Sequence, residues 1–182
     1  MKDLSLHILD IVHNSIRAQA SLIIISISEN PEADEYLLQI RDNGTGIPPE
    51  VLPNVTDPFT TSRKTRKVGM GLALLKQNAE MTGGGIEIKS TFGKGTDVKC
   101  WFNLQHIDRP PIGDISGVLL QLIIAFQHVH FAYHHQTNSG EYLFDSVEVS
   151  EVLGGLPVSA PEVRKYLREM IDENLNEIRI ER

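Results

Sequence analysis

The sequence predicts an α/β (α+β) two-layer sandwich: a mixed, mostly antiparallel sheet with helices on one face, followed by a small C-terminal α/β appendage. Three observations predict it. "DLSLHILDIVHNSIRAQA" carries apolar residues at helical spacing. Four later runs alternate apolar and polar residues with the period of a strand. A second helical run, "GLALLKQNAEMT", separates the first pair of those strands from the second.

In the first helix Asp3 is the expected N-cap, and Leu4, Ile8, Ile11 and Val12 supply the apolar face. His7, Asp10, Asn14 and Arg17 recur at steps of three and four and form one polar stripe. "LIIISIS" at 22–28 places Ile23, Ile25 and Ile27 on one face of a strand. "EYLLQIR" at 35–41 is its hairpin partner, with a polar turn around Asn30 and Pro31. Residues 53–68 lack periodicity and read as loop. The second helix, 71–82, closes on Gly83, Gly84 and Gly85. "GIEIKS" and "TDVKCWFN" follow as strands joined by the glycine turn "FGKG".

"HIDRPPIGD", with its adjacent prolines, marks residues 106–113 as a linker between a domain of residues 1–105 and a C-terminal region of 114–182. That region predicts a helix at 114–126, a hairpin around "QTNSGE", and a final helix opening on a capping-box pair, Ser159 and Glu162. Leu167, Ile171, Leu175 and Ile178 form a stripe expected to close a small core. The region should pack on the first domain or dock a partner, so that its removal leaves ligand binding measurable.

Composition narrows the function. With 182 residues, 41% hydrophobic and 23% charged, the chain is an ordinary globular one. Its net charge of −7 speaks against a general nucleic-acid or anionic-membrane binder. The single cysteine, Cys100, excludes an intrachain disulfide and predicts a reducing, cytoplasmic setting. "MKDLSLHILDIVHN" has no long uncharged stretch, so no signal peptide is expected. The apolar run "GVLLQLIIAF" is too short to span a bilayer and reads as a buried helix.

Four segments carry candidate chemistry. Asp10 and Asn14 lie one turn apart and present a carboxylate and an amide together. In "RDNGTGI", Asp42 ends a strand just before Gly44 and Gly46; a tight turn is one reading, and a pocket floor with Asp42 as its acceptor is the sharper one, for the other segments to decide. From Pro58 to Ala79 there are five basic residues and no acidic one, and Gly69 and Gly71 open a helix whose first N–H groups lack partners. That combination suits a phosphate, although a basic surface loop reads the same way. "GKGT" at 93–96 alone is a strand turn. The Walker pattern is missing, and Gly69 and Gly71 follow a loop rather than a strand, against a dinucleotide unit. His128, His130 and His134 share one strand face, where a metal site is the lesser reading and a partly exposed hairpin the better one.

Taken in order, these segments resemble the boxes of the GHKL (Bergerat-fold) ATPases, which include sensor histidine kinases, gyrase-type topoisomerases, Hsp90 and MutL. "LDIVHNSI" resembles the N box, "DNGTGI" and "GMGLALL" the two glycine boxes, "DPFTTSR" the F box, and "GKGTDVKCWF" the closing strand. The resemblance runs from about residue 3 to residue 104 and is nearest the histidine-kinase branch. It implies the histidine-kinase-like ATPase fold, with ATP and Mg²⁺ as cofactors. Asn14 would hold Mg²⁺ through its carbonyl oxygen, and Asp42 would accept from the adenine amino group. Gly44, Gly46 and Thr96 would shape the base pocket; Gly69 and Gly71 would lend backbone amides to the phosphates; Phe59, Thr60, Thr61, Lys64 and Leu72 would complete the nucleotide-binding set. Asp10 stands where the ATPase and serine-kinase branches carry a glutamate base, which makes it the candidate catalytic residue. His13, off the stripe, reads as packing. A full sensor kinase places a dimerisation and phosphoacceptor domain before this module, and the helix here begins near Met1, so the phosphoacceptor or partner is expected on a separate protein. Phosphotransfer to that partner, ATP hydrolysis that gates a conformation, and ATP-dependent sequestration remain open as activities.

Overall fold

Asp3 accepts a hydrogen bond from the Leu6 N–H at 3.0 Å and starts α1, Leu4–Arg17. The computed structural model describes residues 2–57 and 70–179. Leu4, Ile8, Ile11 and Val12 are all buried, as the helical spacing requires. They lie against strands β1, Leu22–Asn30, and β2, Glu35–Asp42, an antiparallel hairpin. Asn30 shapes its turn by accepting from the Glu32 and Ala33 N–H groups.

Helix α2, Met70–Met81, and strands β3, Gly85–Thr91, and β4, Gly95–Asn103, complete the expected order. The C-terminal region adds α3, Ile115–Ala125, β5, His130–Gln136, β6, Glu141–Asp145, α4, Ser146–Leu153, and α5, Pro161–Glu177. The six strands of the described residues form one sheet in the order β3-β4-β2-β1-β5-β6. Every neighbouring pair is antiparallel except β1 and β5, which run parallel.

Alternation puts one face of the sheet inside. Ile25 sits opposite both Ile40 and Tyr133, and Leu38 opposite Cys100. These residues are at most 1% exposed and form the floor under the helices. The two-layer sandwich with a mostly antiparallel sheet is therefore present, and the C-terminal strands extend its sheet.

Residues 106–113, read as a linker, are stitched to the first helix. The carbonyls of Pro111 and Ile112 accept from the Leu4 and Ser5 N–H groups, both at 2.8 Å, two donors that the helix itself cannot pair. Arg109 is buried, with its guanidinium 4.7 Å from the Tyr36 ring centre and its Nε donating to the Leu104 carbonyl.

The last helix corrects one expectation. Its N-cap is Ala160, with no side-chain cap bond, and Pro161 opens it, so Ser159 and Glu162 form no capping box. Helix α4 follows β6 directly, and Asp145 caps it by accepting from the Val147 and Glu148 N–H groups. Leu167 and Ile171 are buried and pack with Leu175 and Ile178 into the common core, the expected role of that stripe.

Candidate functional site

The stripe on α1 faces α2. His7 is 0% exposed, and its Nε2 lies 3.0 Å from Asn78 Nδ2 on α2. One turn on, the Asp10 carboxylate lies against Gly71, where any side chain would collide with it. A larger residue there would push the Asp10 carboxylate aside, so the glycine leaves that side chain its place. A carboxylate at a helix start is also favoured by the helix dipole. Asn14 follows on the same side, its Oδ1 accepting from the Arg17 guanidinium. His13 instead packs edge-on against Phe126 at 5.9 Å between ring centres.

Asp42 stands at the end of β2, opposite Ile23 of β1 and Thr96 of β4. Its carboxylate is held from two sides. Ser15 of α1 donates to Oδ2 at 2.6 Å, and the Gly44 N–H donates to Oδ1 at 2.9 Å. Beyond it the loop folds back, with the Thr45 N–H on the Ala18 carbonyl and the Gly93 N–H on the Thr45 carbonyl. Gly46 has φ +69°, and a side chain there would overlap the Thr91 carbonyl, so this turn needs its glycine for both reasons.

Ser90 is a member of this site that the sequence reading missed. Its Oγ accepts from the Ile47 N–H at 2.8 Å, donates to the Gly95 carbonyl at 2.9 Å, and lies 3.0 Å from Thr96 Oγ1. It ties the glycine loop to the β3–β4 turn. The signal is the pairing of Ser90 with Thr96, which is a matter of strand register rather than motif. A cleft of about 490 Å³ opens here, lined by Asp42, Leu52, Ser90, Lys94 and Thr96 among others.

The structure thus brings Asp10 to Gly71, and Asp42 to Gly44, Gly46 and Thr96. Leu72 is half-buried near the start of α2 and packs on the core. Phe59, Thr60, Thr61, Lys64 and Gly69 lie outside the described residues. Among the described residues no three His, Cys, Asp or Glu side chains converge as a metal cluster. His130 and His134 each hold their own acid, Asp145 at 2.8 Å and Glu141 at 2.9 Å, and His128 is exposed.

His7 has a pH consequence. Burial pushes its pKa from 6.5 down to about 4, against the opposing pull of Asp10. Between those values the unfolded chain takes a proton that the folded ring refuses. Stability is therefore complete above pH 6.5 and falls as pH drops toward 4, by up to about 3 kcal/mol from this group. Urea midpoints measured from pH 7 to pH 4 should show this loss in the parent chain and a flatter profile in His7→Leu. Equal slopes would assign the acid sensitivity to other groups.

Comparison with known proteins follows the same geography. The family model described as "Histidine kinase-, DNA gyrase B-, and HSP90-like ATPase" matches residues 2–106. Sensor kinase CckA of Brucella abortus (strain 2308) is 41% identical over 152 residues, covering 69% of this chain and 16% of that protein. Sensor protein SrrB of Staphylococcus aureus (strain NCTC 8325 / PS 47) is 42% identical over 79 residues, 41% of this chain and 13% of that protein. The chain therefore spans only a small part of the length of these relatives. A solved structure described as the N-terminal domain of a DNA repair protein superposes with a TM-score of 0.58 at 18% identity, over 87% of this chain and 59% of that one. At that identity the likeness is one of fold alone. Because the matched stretch is more than half of the chain and contains both glycine turns, the chain belongs to the histidine kinase-, DNA gyrase B- and HSP90-like ATPases.

Proposed function

We propose that the chain binds ATP together with Mg²⁺ and passes the γ-phosphoryl group to a separate protein. The observation that carries this reading is the Asp42 carboxylate, anchored by Ser15 and Gly44 at the mouth of the cleft. Each oxygen already accepts one hydrogen bond and retains a lone pair, which suits an exocyclic amino group. Gly44 and Gly46 let the backbone lie against a flat base, and Thr96 and Ser90 close the far side. Phe59, Thr60, Thr61, Lys64 and Gly69 complete the phosphate side in this reading, with Gly71 and Leu72 at the start of α2.

Asn14 suits Mg²⁺ on chemical grounds. Its Oδ1 is a hard oxygen donor and already faces a cation, the Arg17 guanidinium. Mg²⁺ keeps several waters and phosphate oxygens, so one protein oxygen is a sufficient anchor. When bound, the ion would neutralise phosphate charge. Asp10, one turn before Asn14, orients or deprotonates the attacking group of the partner. The names of the two relatives, a sensor kinase and a sensor protein, support signal transduction through a partner. A reducing, cytoplasmic setting is part of this reading and rests on the single cysteine, Cys100, which is buried and which burial keeps protonated. Among the described residues no helix is long and apolar enough to cross a membrane.

The deciding experiment incubates the chain with γ-labelled ATP, alone and with lysate of its own cells. Label on a second protein supports the proposal; label only in free phosphate replaces it with simple hydrolysis. Asn14→Ala should abolish the Mg²⁺-dependent tightening of ATP in calorimetry. Asp10→Asn should leave ATP affinity nearly intact and slow turnover on the order of a hundredfold or more, the usual worth of a general base. Full turnover in Asp10→Asn would leave Asp10 as a helix-face carboxylate only.

A further inference from the structure

Three polar side chains stand in one row across the end of the sheet. Ser90 of β3 lies opposite Thr96 of β4, and Thr96 lies opposite Asp42 of β2. Each is two residues from a member of the inward face, Ile88, Val98 and Ile40, so all three point to the helix side. The cleft opens there and all three line it. The protons of the two hydroxyls follow from their partners. The Ser90 hydroxyl has one proton and two lone pairs. The Gly95 carbonyl, 2.9 Å away, can only accept, so the Ser90 proton goes there. The Ile47 N–H, 2.8 Å away, can only donate, and it takes one lone pair. What Ser90 has left for Thr96 Oγ1, at 3.0 Å, is the other lone pair, so the proton of that bond belongs to Thr96. Thr96 Oγ1 makes no other hydrogen bond among the described residues.

We infer that Ser90 is a positioning residue for nucleotide specificity: by taking the Thr96 proton, it turns the Thr96 hydroxyl into an acceptor toward the cleft. Beside it stands the Asp42 carboxylate, whose oxygens each accept one bond, from Ser15 and from Gly44, and keep a lone pair. The floor of the cleft is then a row of acceptors. Such a row favours a ligand edge that carries N–H groups, and an exocyclic amino group carries two. It disfavours an edge of bare ring nitrogens, which would set acceptor against acceptor. The inference rests on the proposed ATP reading for this consequence, though not for the direction of the hydroxyls. Ser90 acts through Thr96, and that is what separates it from a tie that merely holds the glycine loop to the β3–β4 turn.

Purine riboside triphosphate, which is ATP without its 6-amino group, is the probe. Calorimetry on the full chain should show the parent binding ATP more tightly than this analogue. In Ser90→Ala the Thr96 hydroxyl is free to turn and donate to a ring nitrogen. The preference for ATP should then shrink about threefold to tenfold, the worth of one neutral hydrogen bond. Ser90→Ala also frees the Ile47 N–H, which loosens the loop for both nucleotides alike and cancels in the ratio. Thr96→Val removes the hydroxyl, and in that background Ser90→Ala should leave the ratio unchanged. An unchanged ATP preference in Ser90→Ala, or the same shift with and without the Thr96 hydroxyl, overturns the inference and leaves Ser90 a structural tie. Neutron diffraction from the deuterated chain without nucleotide supplies a readout independent of ligand. It should place the Thr96 deuteron toward Ser90 Oγ, and a deuteron turned to the cleft or to Asp42 refutes the assignment. If the parent binds neither nucleotide while the deuteron lies toward Ser90, the ATP reading falls, and with it the consequence for specificity, while the hydroxyl assignment stands.

Discussion

Deleting residues 113–182 is expected to abolish cooperative folding rather than to leave a working nucleotide domain. The reason is β5. It pairs with β1 along seven positions, from Leu22 opposite His130 to Ser28 opposite Gln136. Phe131 and Tyr133 are 0% and 1% exposed, and lie beside Ile23 and Ile25 in the middle of the core. Helix α3, buried through Leu119 and Leu122, packs with α1 and is lost as well. The truncated chain would expose the full edge of an isoleucine-rich strand, a template for aggregation. This replaces the expectation, read from the sequence, that removal leaves ligand binding measurable. Phe131→Ala is the graded form of the test. Emptying a buried phenylalanine site costs about 3–5 kcal/mol, enough to consume much of the stability of a domain this size. Chemical denaturation of both proteins checks the claim. A sharp cooperative transition in the truncated chain would refute it.

Asp42→Asn is expected to weaken ATP tenfold to a hundredfold while the fold survives. The shape is unchanged, and an amide oxygen can still accept from the Gly44 N–H while its nitrogen donates to Ser15 Oγ. What disappears is the charge and the second acceptor oxygen facing the ligand. A hydrogen bond to a charged group is worth about 1.5–3 kcal/mol, which sets the size of the loss. GTP should bind the parent chain worse than ATP, because its oxo group would meet a carboxylate acceptor. Calorimetry of the parent and the variant with both nucleotides checks this. Equal ATP affinity in the two proteins would remove Asp42 from the base pocket.

The helical spacing of Leu4, Ile8, Ile11 and Val12 and the alternation of Ile23, Ile25 and Ile27 were sufficient to place α1 and β1, because each pattern maps directly onto one buried face. The glycines of "DNGTGI" were legible for a related reason: Gly46 adopts a backbone conformation that other residues avoid, which the residue type itself announces. Helix α4 was hidden because "SVEVSEVL" alternates like a strand, and only its attachment to β6 through the Asp145 cap makes it a helix. The capping box at Ser159 failed because Pro161 already supplies the first helical residue without an N–H to pair.

By itself, then, the sequence determined the α-helices and strands of residues 2–42 and 70–106, the two-layer class, and the places of Asp10, Asn14, Asp42 and Gly46 on them, since these depend on periodicity, backbone permission and local order. The 3₁₀ turn Leu52–Asn54 overlaps a stretch without periodicity that reads as loop. The tertiary structure alone decided that β5 runs parallel to β1 inside the same sheet, that residues 106–113 cap α1, and that the polar stripe faces α2, with His7 fully buried beside Asn78. It also decided that Ser90 joins the site. Each of these is a contact between residues distant in the chain. Such contacts are fixed by which apolar faces meet and which buried polar atoms then need partners, and neither is written in any local pattern.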